Sequence, residues 1–97
     1  MIVRFSRRAI NDLADIANYI RTRNPSAAER VRTAILESIE ILARFPNAGR
    51  RQNIGNVRKL VVRRYPYLVY YRIDAAAAAV IVVAVQHSAR EREHSDV

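Results

Sequence analysis

Eight cations and no carboxylate occupy the stretch from Ile41 to Ile73: Arg44, Arg50, Arg51, Arg58, Lys59, Arg63, Arg64 and Arg72. The formal net charge of the 97-residue chain is +8, so this stretch carries the whole excess and the remaining charges cancel. Lys59 is the only lysine, and every other cation is arginine. Arginine presents a planar fork that binds carboxylate or phosphate through two hydrogen bonds and also stacks on aromatic rings. A one-signed block of this kind favours a polyanionic or acidic partner, either nucleic acid or an acidic protein segment. The plainer alternative is a solvated face kept soluble by its charge.

Other chemistries find few residues. Without cysteine there is neither thiol catalysis nor a disulfide. Gly49 and Gly55 are the only glycines, too few for a phosphate-cradling loop. His87 and His94 fall outside any metal-ligand spacing, so no metal and no cofactor is expected. A histidine at the end of a buried strand, as His87 is, more often makes a structural hydrogen bond than serves as an acid or base. His94 sits in a polar tail and is expected to be exposed. Tyr65, Tyr67, Tyr70 and Tyr71 could stack on bases, but at strand spacing packing is the better account. Arg63 and Arg64 flank a break before Tyr65, so at least one should be exposed.

These groups must be positioned by a single domain, residues 1–97, since a chain of this length supports one core. With 51% hydrophobic residues it has the material for that core. No signal peptide is visible, and the longest apolar run, Ala75 to Val85, is far shorter than the roughly 20 residues that span a bilayer. A soluble, cytoplasmic protein is expected. Ile2 to Phe5 is β-prone, and Ser6 can cap a helix that begins at Arg7. Ile10, Leu13, Ile16, Ala17 and Ile20 recur at helical spacing, which predicts a helix over Arg7–Arg23. Pro25 suits the first turn of a second helix, Pro25–Arg44, and Ser26 with Glu29 has capping-box spacing. Ala28, Val31, Ile35, Ile39 and Leu42 form its apolar stripe, and Phe45-Pro46-Asn47-Ala48-Gly49 stops it.

The period then changes. Val57 to Val62 is mostly apolar and β-branched. Between Tyr67 and Ile73, Tyr67, Val69, Tyr71 and Ile73 share one face while Leu68, Tyr70 and Arg72 share the other. Val80 to Val85 reads as a strand buried on both faces. The order is β-α-α-β-β-β, an α+β fold with a helix hairpin packed on a three- or four-stranded, mostly antiparallel sheet. Ala75 to Ala79 lacks the chemistry of a tight turn, so a looser loop than two residues is expected.

Five stretches resemble the ParE/RelE toxin superfamily, also called plasmid-stabilisation proteins, and they occur in that family's order. They are Phe5-Ser6-Arg7-Arg8-Ala9, Pro25-Ser26-Ala27-Ala28-Glu29-Arg30, Leu42-Ala43-Arg44-Phe45-Pro46-Asn47-Ala48-Gly49-Arg50, Arg64-Tyr65-Pro66-Tyr67-Leu68-Val69-Tyr70-Tyr71-Arg72, and Val85-Gln86-His87-Ser88-Ala89-Arg90. The resemblance implies a β-α-α-β-β-β fold, a bacterial toxin role and neutralisation by a cognate antitoxin. It also implies one of two activities. RelE-like members cut mRNA on the ribosome, and ParE-like members inhibit DNA gyrase without being nucleases. Metal-independent RNA cleavage needs a base, an acid and cations on the phosphate, and Lys59, Arg63, Arg72 and His87 are the groups that could supply them. A single lysine and the absence of any tyrosine after Tyr71 make the chain more similar to the ParE branch. On that reading no residue is catalytic. Contacts to partners are expected from Arg58, Arg63, Arg64, Tyr65, Tyr70, Arg72, His87 and Arg90. The antitoxin is expected to be ParD-like, with an acidic C-terminal segment lying partly on the basic block and possible hetero-oligomer formation.

Overall fold

The strand Ile2–Phe5 (β1) gives way to a helix at Ser6, whose extended backbone and side chain form an N-cap: its Oγ accepts the N–H of Ala9 at 3.1 Å. The helix Arg7–Arg21 (α1) follows in this computed structural model, which describes residues 1–90. It is two residues shorter than its periodicity suggests. Thr22 already serves as the C-cap, and the N–H groups of Arg23 and Asn24 both turn back to the Ile20 carbonyl at 2.9 and 2.7 Å. The guanidinium of Arg23 lies 3.9 Å from the Tyr19 ring centroid, outside the helix.

The second helix spans Pro25–Arg44 (α2) as its spacing predicts, but Ser26 does not cap it. Asn24 does. Its backbone is extended, as a residue before proline prefers, and its Oδ1 accepts from the Ala27 N–H at 3.2 Å and from the Ser26 hydroxyl at 3.0 Å. The capping box therefore does not form. No helix among the described residues is long and apolar enough to cross a membrane.

Four strands follow: Arg50–Arg51 (β2), Val57–Val61 (β3), Tyr67–Asp74 (β4) and Ala79–His87 (β5). The sheet has five strands in the order β1-β5-β4-β3-β2, one more than the upper expectation. The extra strand is β2, two exposed arginines whose type carries no strand signal. All neighbours are antiparallel except β1 and β5, which are parallel. This places the most apolar strand, β5, between β1 and β4, as its continuous apolar run implies.

Both helices pack on one face. Val31, Ile35 and Ile39 of α2 and Ala9 of α1 meet Val62, Tyr67, Val69, Val82 and Val85 in the main cluster, and Leu42 joins Tyr71 and Val80 in a second. The other face of β5 is only partly covered, with Ile81 and Val83 half-buried, so burial on both faces does not hold along its length. A register shift opposite Tyr70 and Tyr71 leaves Val83 as an extra residue on β5. The bulge resets the alternation so that Val82 and Val85 both face the helices. It lies where β1 has run out, and α1 takes over the strand's hydrogen bonding. The Ser6 hydroxyl donates to the Val83 carbonyl at 3.1 Å, and Asp12 Oδ2 accepts from the Val85 N–H at 2.9 Å.

The four-residue loop between β4 and β5 is looser than a two-residue turn, as the alanines predict. Asp74 Oδ1 accepts the Ala77 N–H at 3.1 Å, and Ala78 is left-handed at φ 51.

Candidate functional site

Around the basic block, one part of the structure is fixed in the core and another is left open. The fixed part is centred on Tyr71, which has no exposed surface. Its hydroxyl donates to the Pro46 carbonyl at 2.7 Å and accepts from the Gly49 N–H at 2.8 Å. A Cβ on Gly49 would stand 2.7 Å from the Tyr71 ring and 2.9 Å from the Lys59 carbonyl, so only glycine fits here. The Arg58 guanidinium donates to the carbonyls of Gly49 and Asn47 at 2.9 and 3.4 Å. The segment Phe45 to Gly49 is thus tied to the sheet by one phenol and one guanidinium. Burial raises the Tyr71 pKa, while the Gly49 N–H and the Arg58 charge pull it partly back. Arg58, expected at a partner surface, uses its Nη1 to hold this junction.

The open part follows from alternation along the strands. Successive strand residues point to opposite faces. Val3, Phe5, Val69, Tyr71, Val80 and Val82 face the helices, so the residues between them look away. Cross-strand partners share a face. One row on the open face is therefore Arg4, Ile81, Arg72 and Val57, on β1, β5, β4 and β3. The next row is Ala84, Tyr70, Lys59 and Arg50, on β5, β4, β3 and β2. Sequence reasoning missed Arg4 and Arg50 as members of this surface. Arg50 belongs to the basic block but precedes any strand-like pattern, and Arg4 arrives only through the parallel pairing of β1 with β5.

Arg63, Arg64 and Tyr65 lie elsewhere, in the β3–β4 turn. With Glu29, Glu37 and Ile41 of α2 they line a groove of about 550 Å³. Arg63 and Arg64 are exposed, as expected for at least one of them, and neither side chain bonds to another described residue. Arg64 is held at φ 75, a left-handed conformation that costs a non-glycine residue about 1–2 kcal/mol. Tyr65 packs half-buried against the core.

A third corner holds His87 and Arg90. The His87 ring meets the Tyr67 ring edge-on, centroids 5.3 Å apart, and its Nδ1 accepts the Ala89 N–H at 3.1 Å. His87 is thus on the helix side of the sheet. With Asp12, Asp15, Tyr19, Tyr67 and Arg90 it borders a groove of about 580 Å³. Burial raises the pKa of Tyr67, and Tyr19 adds to the effect. His94 lies outside the described residues. Among the described residues no group of histidine and carboxylate side chains could hold a metal ion.

Apart from Arg58, the predicted contact residues therefore divide three ways. Tyr70 and Arg72 share the open face with Lys59. Arg63, Arg64 and Tyr65 border the α2 groove. His87 and Arg90 border the α1 groove.

A family model described as the ParE toxin of the type II toxin–antitoxin system parDE matches residues 3–92. The putative toxin Y4kP of Sinorhizobium fredii is 38% identical over 72 residues, 74% of this chain and 75% of that protein. Toxin RelE3 of Caulobacter vibrioides is 34% identical over 92 residues, 93% of this chain and 97% of that protein. Among solved structures, a chain of the chromosomal ParDE system from P. aeruginosa aligns with a TM-score of 0.78 at 22% identity, covering 90% of this chain and 95% of that one. A chain of the toxin–antitoxin complex RelBE2 from Mycobacterium tuberculosis aligns at 0.65 and 28% identity, covering 89% and 95%.

Proposed function

Because the chain belongs to the ParE/RelE family of type II toxin–antitoxin toxins, we propose that it inhibits DNA gyrase by binding it and has no catalytic centre of its own. One observation carries this reading: the groups that could cut RNA are not gathered. Lys59 and Arg72 lie on the open face of the sheet, in adjacent rows. His87 points to the helix side, against Tyr67. Arg63 sits in the β3–β4 turn beside α2. Cleavage by positioned acid and base requires both within hydrogen-bond reach of one phosphate, and a β-sheet separates His87 from Arg72. A binding protein has no such requirement.

The neutralising partner is a cognate antitoxin. The similar solved chains come from toxin–antitoxin systems and complexes, which supports such a partner here. Its ParD-like segment should be acidic where it meets the exposed Arg63 and Arg64, clear of any contact with Glu29 and Glu37, and apolar against Ile41 and Tyr65. Apolar contacts there would supply most of the affinity, because exposed ion pairs contribute about 0–1 kcal/mol each. The charge would act mainly on association rate. A gyrase target and a cognate antitoxin would both require a cytoplasmic protein, and that is the localisation proposed.

A second reading, a ribosome-dependent mRNA endonuclease, is favoured by the names of two relatives in Caulobacter vibrioides, RelE3 and RelE2. Purified protein separates the two. In a supercoiling assay with gyrase it should block supercoiling, and ribosome-bound mRNA should stay intact. Intact supercoiling together with codon-specific cleavage would favour the nuclease.

A further inference from the structure

The open face of the sheet carries Arg4, Arg50, Lys59 and Arg72 against one carboxylate among its described residues, Asp74, which is half-buried and already accepts the Ala77 N–H. Arg4, Arg50 and Arg72 are exposed, and none of their side chains bonds to another described residue. Both helices pack on the opposite face. We infer that this face, through Arg4, Arg50 and Arg72, lies directly on the phosphates of the duplex DNA that gyrase holds. The inference rests on the gyrase reading.

The sheet register sets the spacing of the cations. Neighbouring strands are about 4.8 Å apart. Arg4 and Arg72 are separated by β5, and Arg72 and Arg50 by β3, so each pair stands about 10 Å apart across the strands. The major groove of B-form DNA is about 12 Å wide. Three arginines at this interval can reach phosphates on both sides of a groove. Contacts from arginines to phosphates are contacts to the backbone, and they carry no sequence preference.

Two alternatives fit the face less well. Unpaired strands are held by bases stacking on exposed aromatic rings, and the aromatic residue of this face, Tyr70, is half-buried. A peptide that adds to a sheet runs along an edge, parallel or antiparallel to the strands, whereas these arginines run across them.

The test uses the full chain and a fluorescently labelled random-sequence duplex, with affinity read by anisotropy across a salt series. A triple variant, Arg4→Gln with Arg50→Gln and Arg72→Gln, should bind about 100-fold more weakly near 0.1 M salt. Its slope of log affinity against log salt should be shallower by about 2 to 3, the value for three lost phosphate contacts. The control, Arg30→Gln with Arg32→Gln, removes two exposed charges from α2, and its slope should match the wild type. Duplex affinity unchanged in the triple variant would overturn the inference. So would equal losses in the control, which would assign binding to bulk charge. A triple variant that kept duplex affinity and lost an acidic antitoxin peptide would give the face to a protein partner instead. Supercoiling inhibition by the wild type is measured beside these. Duplex binding through the three arginines without inhibition would sink the gyrase reading and leave the surface standing. Inhibition by a protein that does not bind duplex would do the reverse.

Discussion

The two faces of β4 are built from the same eight residues and obey different constraints. On the helix side, Tyr67, Val69 and Tyr71 are buried, and each has neighbours that fix its place. On the open side, Leu68 is buried, Tyr70 is half-buried and Arg72 is exposed. The first face holds the fold together, and a change there is felt through packing and unsatisfied polar groups. The second face packs at its Leu68 end, and its exposed end at Arg72 is free of that constraint. Function in this molecule should therefore be removable without unfolding it, and stability removable without altering the surface chemistry.

The most severe break on the helix side is Gly49→Ala. The new methyl would overlap the Tyr71 ring, its hydroxyl and the Lys59 carbonyl. Chemical denaturation should show a loss of about 3 kcal/mol, the upper part of the range for overpacking a tight site. Tyr71→Phe comes next. It strands the buried Gly49 N–H and leaves the Pro46 carbonyl without its donor, for a loss of about 2 kcal/mol by the same measurement. An unchanged midpoint in either variant would show that the junction does not constrain the fold.

Charge reversal on the other region should act on kinetics instead. Arg63→Glu with Arg64→Glu should slow association with the cognate antitoxin by about tenfold, with a smaller change in dissociation, as rim charges do. Added salt should slow the wild type in the same direction. Surface plasmon resonance across a salt series reads both rates, and salt-independent association would reassign these arginines to the target or to solubility. The smallest effect expected is a gain. Ala78 holds φ 51 in an exposed loop, so Ala78→Gly should raise stability by about 1 kcal/mol, the cost of the left-handed conformation for alanine.

The helix-facing residues were legible in the sequence because burial imposes a period. The stripe Ala28, Val31, Ile35, Ile39 and Leu42 and the alternation Tyr67, Val69 and Tyr71 both lie where that period places them. Boundaries were less legible where a local hydrogen bond decides them. Asn24, not Ser26, caps α2 because the chain must extend before Pro25. Strand β2 left no trace, since two arginines pair with β3 through backbone alone. The surface was read only in part. Arg58 looks like its neighbours in the basic block, yet its side chain is used to tie down residues 47 and 49. Arg4 lies outside the block and joins the open face through a strand pairing that crosses most of the chain. Charge in a sequence reports how many cations there are, and the register of the sheet decides which of them share a surface.

The central claim is that the protein acts by binding, with no acid–base centre. His87→Ala tests it most directly. This side chain is exposed and contacts Tyr67 and Ala89, so the variant should stay folded. In a gyrase supercoiling titration both the wild type and the variant should inhibit, and neither should cleave ribosome-bound mRNA. Codon-specific cleavage by the wild type that vanishes in His87→Ala, with supercoiling untouched by both, would contradict the account.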